Sequence, residues 1–383
     1  MNKILIAFGT RPEAIKMAPI IKAFKRFPNY FKTNVCVTAQ HREMLDQVLT
    51  FFNIYPDYDL DLMKPNQNLY DLTADIIANM KTVLDDFRPD YVFVHGDTTT
   101  TMAVSIASFY SNTKICHVEA GLRTYNKLSP FPEEINRQIT GRLCDFHFAP
   151  TLKSKANLIN ENIKEDCILV TGNTVIDSLL DSVDRVNQDP SGFIKMISKK
   201  LKSKEVILVT AHRRENHGHG FERICKALKK IALENNNCVI IFPVHPNPNV
   251  KEPVERILKK INNVILTKPL IYPDFVWMMN RSKVIITDSG GIQEEAPSLC
   301  KPVLVIRDET ERTEAIDSGT AVLVGTDENK IIKETLALLN DRERYQQMSQ
   351  IKNPYGDGYA SDRIIMFIAK QEGIKLNINN RVT

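Results

Sequence analysis

Five side chains combine the chemistry to move a proton with a position suited to it, and are the acid/base candidates: Asp97, Glu119, Glu133, Glu134 and His212. Proton transfer at carbon needs a positioned base and a separate acid, each in the protonation state its task requires. Asp97 and Glu119 each stand just past a short apolar run, at strand ends whose fixed backbone would hold the two close together. Glu133 and Glu134 follow Pro130-Phe131-Pro132 at a helix start, where one of the pair serves equally well as favourable charge in the first turn. His212 is flanked by Arg213, Arg214 and Glu215, which suits a site better than an ordinary polar loop. A second set of residues is suited to an anion. Ser289-Gly290-Gly291 lies between an apolar run and a helix, so its backbone N–H groups can approach a phosphate or diphosphate. Arg213, Arg214 and Arg312 in neighbouring loops strengthen that reading, because the guanidinium fork matches phosphate oxygens.

Other chemistries are excluded by spacing. His217, His219 and His245 are not spaced as metal ligands and have no cysteine partners, so no catalytic metal is expected. The chain has no Gly-x-x-x-x-Gly-Lys-Ser/Thr, and the turn after its first apolar run reads Gly9-Thr10-Arg11-Pro12-Glu13 instead of Gly-x-Gly-x-x-Gly. A P-loop and a tight nicotinamide-dinucleotide turn are therefore both missing, and a nicotinamide mechanism is not expected. Gly218-His219-Gly220 and Gly356-Asp357-Gly358 read as loops.

The elements that must position these residues alternate along the chain. Strands are expected at Ile4–Phe8, Val35–Thr38, Tyr91–His95, Ile115–Val118, His147–Ala149 and Ile168–Val170. A second series covers Val206–Thr210, Val239–Pro243, Val264–Leu266, Val284–Thr287, Pro302–Val305 and Ala321–Val324. Segments with apolar residues every three or four positions, such as Ile15–Phe27, Leu69–Phe87, Phe221–Asn235 and Ile331–Leu339, separate them as helices. Apolar runs without polar alternation mean strands buried on both faces, hence parallel sheets in an α/β architecture. Nearly every run ends in Gly, Thr, Asp, Glu, His or Arg, and ligands of open parallel sheets bind beyond the carboxyl ends of the strands. The expected fold is two doubly wound, Rossmann-like domains whose polar rims face across a cleft. The polar, Pro/Gly-punctuated segment Asp181–Lys204 joins the two series.

Composition narrows the class. The chain has 383 residues, 43% hydrophobic and 25% charged, the balance of a globular protein long enough for two domains. Fifty Lys and Arg against 46 Asp and Glu leave a net charge of +4, too little for a nucleic-acid footprint. The longest stretches without Asp, Glu, Lys or Arg, 98–113 and 235–250, are rich in Thr, Ser, Asn and Pro. They fall short of the roughly 20 apolar residues that a membrane-spanning helix needs. The apolar run Ile4–Phe8 is too short for a signal peptide and reads as a first buried strand. Seven scattered cysteines without a Cys-x-x-Cys pair fit small buried hydrophobes in a reducing cytoplasm.

Taken together, these segments resemble the bacterial non-hydrolysing UDP-N-acetylglucosamine 2-epimerases. The resemblance rests on Phe8-Gly9-Thr10-Arg11-Pro12-Glu13-Ala14-Ile15-Lys16, Gln40-His41-Arg42, His95-Gly96-Asp97-Thr98-Thr99-Thr100 and His117-Val118-Glu119-Ala120-Gly121-Leu122-Arg123-Thr124. It continues through Pro130-Phe131-Pro132-Glu133-Glu134-Ile135-Asn136-Arg137, Thr171-Gly172-Asn173-Thr174 and His212-Arg213-Arg214-Glu215-Asn216. Thr287-Asp288-Ser289-Gly290-Gly291-Ile292-Gln293-Glu294-Glu295 and Asn353-Pro354-Tyr355-Gly356-Asp357-Gly358 complete the set, in order, from about Ile4 to Arg363.

The resemblance implies a GT-B-type fold, with residues 1–172 plus a returning C-terminal helix at about 360–383 as one domain and 173–359 as a UDP-binding domain. It implies a cytoplasmic homodimer without a cofactor that supplies polysaccharide precursors. Catalysis would fall to Lys16, Asp97, Glu119, Glu133, Arg137 and His212, with acid and base undecided among the three carboxylates. Ser289, Gly290, Gly291 and Glu295 would hold diphosphate and ribose, with Arg11 and His212 near the phosphates, Arg312 adding to the anion site, Arg213 among the substrate-binding residues, and Phe275 near the uracil. The implied reaction converts UDP-GlcNAc to UDP-ManNAc by eliminating UDP across C1–C2 and adding it back to a 2-acetamidoglucal, with domain closure keeping water out.

Some relatives also bind substrate as an activator, and Gln40, Glu133, Arg213 and His245 match that effector site. Glu43 and Asn66, however, stand where those relatives carry Gln and Arg. The chain also departs from the family's usual Thr-Glu-Arg-Pro-Glu by reading Thr310-Glu311-Arg312-Thr313-Glu314. Rival expectations are a GT-B glycosyltransferase using the same UDP-sugar, a hydrolysing epimerase that releases ManNAc, and a non-catalytic nucleotide-sugar sensor.

Overall fold

The structure is a computed structural model that describes residues 1–38, 42–62 and 67–378. The chain divides into two compact units, Met1–Ser178 with Tyr355–Thr383, and Leu179–Pro354. In the first, β1 (Asn2–Phe8), β2 (Phe31–Val37), β3 (Tyr58–Asp59), β4 (Tyr91–His95), β5 (Lys114–Val118), β6 (Phe146–Ala149) and β7 (Ile168–Val170) build one sheet, ordered β3-β2-β1-β4-β5-β6-β7. In the second, β8 (Glu205–Thr210), β9 (Cys238–Pro243), β10 (Val264–Thr267), β11 (Val284–Thr287), β12 (Val303–Val305) and β13 (Ala321–Leu323) are ordered β10-β9-β8-β11-β12-β13. Every strand pair is parallel. The α/β, doubly wound class expected from the sequence is thus observed in both units.

The strands form where they do because both their faces are covered. Ile4, Leu5, Ile6 and Phe8 of β1 are wholly buried, as are Val206 to Val209 of β8. Burying each such side chain contributes about 1.5–3 kcal/mol. β3 is the strand that apolar patterning misses: its two residues pair with Cys36 and Val37 at the sheet edge and carry no apolar run. Phe24 packs edge-on against Phe31 and Phe93 beneath the first sheet.

Three segments differ from the sequence reading or complete it. Gly218-His219-Gly220 is not a loop: Gly218, at φ 78°, caps the helix His219–Glu234, and Gly220 lies within its first turn. Residues 181–204 are mostly helical, in Thr174–Gln188 and Gly192–Leu201, because Ser191 caps the second helix and Ile194, Ile197 and Leu201 are buried. The terminal helix Ala360–Gln371 belongs to the first unit, where Phe367 meets Phe146 and Phe148 edge-on and Asp362 pairs with Arg26. Four of the seven cysteines are buried and all are free, but Cys300 is exposed at the left-handed end of a 3₁₀ turn, so it is not a core residue.

In an open parallel sheet, the place where strand order reverses opens a crevice at the carboxyl ends. That reversal lies between β1 and β4 in one unit and between β8 and β11 in the other. Most of the polar residues singled out in the sequence follow these four strands and β5, which lies beside β4, while His245 follows β9 and Arg312 follows β12.

Candidate active site

In the first unit the site grows from the carboxyl ends of β1, β4 and β5. β1 gives way at once to the helix Arg11–Lys25, and Glu13 in its first turn clasps two loops. Glu13 Oε2 accepts the backbone N–H of Gly9 at 3.1 Å and of Thr10 at 2.8 Å, while Oε1 accepts the Thr98 hydroxyl at 2.8 Å. The turns after β1 and β4 are therefore held at fixed spacing. Arg11 is exposed and makes no ion pair with a described residue.

Lys16, on the same helix, lies 2.5 Å through Nζ from Glu119 Oε2 at the end of β5. That oxygen also accepts Asn173 Nδ2 at 2.8 Å and faces His95 Nε2 at 3.6 Å. Burial pushes the Glu119 carboxyl up, but Lys16 and then His95 outweigh it and hold the group well below the usual carboxylate range. At neutral pH it is ionised, the form a base needs. Its backbone sits at φ 62°, a left-handed conformation that costs a non-glycine residue about 1–2 kcal/mol. Strain of this kind persists where surrounding contacts dictate it, and here they are the three partners of the carboxylate.

Asp97, past the end of β4, is ion-paired with Arg137 of the helix Glu133–Leu143. Asn136 of that helix donates to the Asp97 carbonyl at 3.0 Å, so helix and loop are joined twice. Glu134 is wholly buried and accepts the backbone N–H of Thr124 at 3.0 Å and of Tyr125 at 3.1 Å. Burial raises its pKa, yet these bonds hold it below the ordinary value. Glu134 thus holds the turn at Thr124 and Tyr125. Glu133 is half-buried, and its side chain makes no hydrogen bond or ion pair with a described residue.

Behind these groups His117 lies 2.7 Å through Nε2 from the Gly96 carbonyl. Burial drives its pKa down to about 3, so the ring is neutral and its N–H donates, pinning the Gly96 turn (φ 68°) that launches Asp97. Arg123 has a structural role: its buried guanidinium binds both oxygens of Glu161 at 2.7 and 2.8 Å.

In the second unit a separate polar cluster grows from β8 and β11. Asp288 is wholly buried, and its Oδ2 accepts the backbone N–H of His212 and of Arg213, both at 2.8 Å. Its Oδ1 lies 3.3 Å from His212 Nδ1. Burial raises the Asp288 carboxyl, but the bonds from His212 and Arg213 outweigh it and keep it lowered. His212 is thereby oriented from behind, and its ring stacks on His245 at 5.8 Å between centroids.

Ser289, Gly290 and Gly291 follow β11 at the start of the short helix Gly290–Glu295. A side chain on Gly290 would come within 3.3 Å of the Arg312 guanidinium carbon, so glycine is what lets that arginine lie on the backbone. Arg312 Nε bonds Glu294 Oε1 at 2.6 Å, and its Nη1 lies 3.4 Å from Glu311. Arg213 and Arg307 reach the same Glu311, at 3.6 and 2.5 Å. With Thr313 in place of the family's proline, Arg312 is still anchored. Glu295 closes the short helix, and Phe275 is half-buried on the helix Tyr272–Arg281.

The structure thus joins Lys16 with Glu119, Asp97 with Arg137, His212 with His245, and Arg213 with Arg312 through Glu311. Of the effector set, His245 is exposed next to His212, whereas Gln40 and Asn66, and the side chain of Glu43, lie outside the described residues. Asn173, His95, Glu13, Asp288, Arg307 and Glu311 were not singled out as site residues. All but Arg307 fall within segments already quoted, but only the sheet order reveals what each touches.

Comparison with known proteins points the same way. The sequence pattern of a family described as UDP-N-acetylglucosamine 2-epimerase matches residues 22–369. A UDP-N-acetylglucosamine 2-epimerase of Salmonella typhimurium is 55% identical over 366 residues, 95% of this chain and 97% of that protein. One of Escherichia coli is 53% identical over 393 aligned positions covering both chains fully. The crystal structure of UDP-GlcNAc 2-epimerase from Neisseria meningitidis bound to UDP-GlcNAc is 49% identical, superposes with a TM-score of 0.83, and covers 96% of this chain and 100% of that one. This chain belongs to the UDP-N-acetylglucosamine 2-epimerase family.

Proposed function

We propose that this chain is an isomerase that interconverts UDP-GlcNAc and UDP-ManNAc at C2 of the sugar. The observation that carries this reading is the Glu119 carboxylate, braced ionised by Lys16 at 2.5 Å, on the strand next to the one that ends in Asp97. The C2 hydrogen is not adjacent to a carbonyl, so simple deprotonation is prohibitively slow. Elimination solves this: a carboxylate takes the C2 proton, the C1–C2 double bond forms, and the C1–O electron pair leaves with the diphosphate. A proton returned to the other face of C2 and re-addition of UDP at C1 complete the epimerisation. Nothing is oxidised overall, so the reaction has no need of a redox cofactor.

The work divides between two sets of residues. Asp97, Glu119 and Glu133 exchange the proton, with Lys16 and Arg137 setting the charge around them. His212, Arg213, Arg312 and Arg11 take the charge that develops on the departing diphosphate, the stabilisation that most lowers such barriers. Ser289, Gly290, Gly291 and Glu295 hold diphosphate and ribose, and Phe275 the uracil. The enzyme works in the cytoplasm as a homodimer and feeds cell-surface polysaccharide synthesis.

Turnover of UDP-GlcNAc in deuterated water tests the reading directly. Deuterium is expected at C2 of both epimers with no acceptor added, which separates this reaction from glycosyl transfer. Retention of the original hydrogen would exclude elimination, and free ManNAc as the main product would identify the hydrolysing reaction instead.

A further inference from the structure

Glu311 lies in the loop between β12 and the helix Thr313–Ser318 and faces three arginines. Arg307 Nη1 lies 2.5 Å from its Oε2, and Arg312 Nη1 and Arg213 Nη2 lie 3.4 and 3.6 Å from its Oε1. Two of these arginines are separately anchored, Arg307 to Glu215 and Arg312 to Glu294, both at 2.6 Å. The guanidinium positions therefore do not depend on Glu311 alone. Its Oε1 also lies 3.1 Å from where a Cβ on Gly290 would stand, directly over the backbone of the Ser-Gly-Gly turn. A carboxylate is the closest side-chain mimic of a phosphate oxygen pair, and arginine binds both by the same fork.

We infer that Glu311 is a resident counter-anion: it occupies the phosphate position of the nucleotide site and is exchanged for the substrate's diphosphate on binding. This rests on the reading that the diphosphate sits against Gly290 and Arg312. The exchange follows from charge. Without Glu311 the three guanidinium groups would share only two carboxylates, Glu215 and Glu294, leaving one positive charge in excess, whereas with both Glu311 and a diphosphate in place the anions would repel. Glu311 keeps the empty site charge-balanced and weakens nucleotide binding, so that the diphosphate is not held too tightly in the ground state. Its loop position and partial exposure allow it to swing to water without disturbing a strand or helix.

Calorimetric titration of UDP into the full chain and into Glu311→Gln and Arg312→Ala tests this. Glu311→Gln, which removes the charge and keeps the shape, is expected to bind UDP about three- to tenfold more tightly, the range of a partly exposed ion pair. Inorganic pyrophosphate is expected to raise the melting temperature of Glu311→Gln more than that of the unaltered protein. Unchanged or weaker UDP binding by Glu311→Gln, with Arg312→Ala still losing affinity, would overturn the inference alone. If Arg312→Ala left UDP affinity unchanged, the phosphate reading beneath it would fail as well. A Glu311→Gln protein that did not fold would show Glu311 to be a structural brace, against the inference.

Discussion

At the scale of the residue, the site separates groups that can react from groups that hold them. Glu119 has its charge fixed by Lys16, Asn173 and His95, whereas Asp97 meets a single arginine side chain, Arg137. Replacing Asp97 by Asn keeps the shape but removes the charge. We expect turnover to fall about 10²–10⁴-fold, the usual share of a positioned acid or base, while UDP binding measured by calorimetry stays within about twofold. Comparable loss of UDP affinity would show Asp97 to be a binding residue instead. Asp288→Asn differs in kind, because Asp288 touches no substrate in this reading and acts through His212. An amide can still accept the two backbone N–H groups, but it no longer offers His212 Nδ1 a carboxylate. UDP affinity is therefore expected to fall about two- to fivefold, in line with about 0.2–1 kcal/mol for an ion pair whose histidine is half exposed. An affinity unchanged in Asp288→Asn but lost in His212→Ala would separate the two residues.

At the scale of the element, adjacent strands bring buried histidines together beneath the site. His117 on β5 and His147 on β6 are a cross-strand pair with ring centroids 6.5 Å apart, and burial lowers their pKa values to about 3 and about 4. Both pKa values are depressed in the folded state, so between the ordinary value near 6.5 and these values the unfolded chain binds more protons than the native one. Stability therefore rises with pH across this window and is lost as pH falls below about 6.5, by up to about 1.4 kcal/mol per pH unit for each histidine. Denaturant melts at pH 7, 6 and 5 should show this slope, and His147→Phe should reduce it. An identical slope in that variant would assign the acid sensitivity elsewhere. The same strands show how far a sequence can be read. Their positions were legible because runs such as Tyr91–His95 are buried on both faces, and the polar ends of the strands marked the site. What patterning could not supply was partnership. Lys16 and Glu119 are 103 residues apart and His212 and Asp288 are 76 apart, so only sheet order brings each pair together. Two-residue β3 and the helix start at Gly218 were missed because neither carries an apolar period.

At the scale of the whole molecule, the first unit is discontinuous: the chain leaves it after Ser178 and returns at Tyr355. The return is tightly fitted. A Cβ on Gly172 would lie 3.1 Å from Gly356 Cα, so the two backbones pass in contact, and Asn173 N–H donates to the Tyr355 carbonyl at 2.6 Å. Buried Asp177 then caps the terminal helix, accepting the backbone N–H of Ala360 at 3.2 Å and of Ser361 at 2.8 Å. Asn173 also holds Glu119, so the seating of this last segment and the geometry of the carboxylate share one residue. Ile364, Ile365 and Ile368 of the helix are wholly buried, which amounts to about 4.5–9 kcal/mol of apolar burial, comparable with the entire stability of many domains. A chain ending at Pro354 should therefore lose the first unit and keep the second. Hydrogen exchange followed by mass spectrometry would read this peptide by peptide: rapid exchange through residues 1–178, protection retained in 205–339, and no turnover. Ile364→Ala with Ile368→Ala offers a milder version, expected to lower the first unit's protection and its melting temperature without removing it. Full protection of β1, β4 and β5 in the truncated chain would mean that these strands stand without the returning helix, and that Asn173 keeps Glu119 in place unaided.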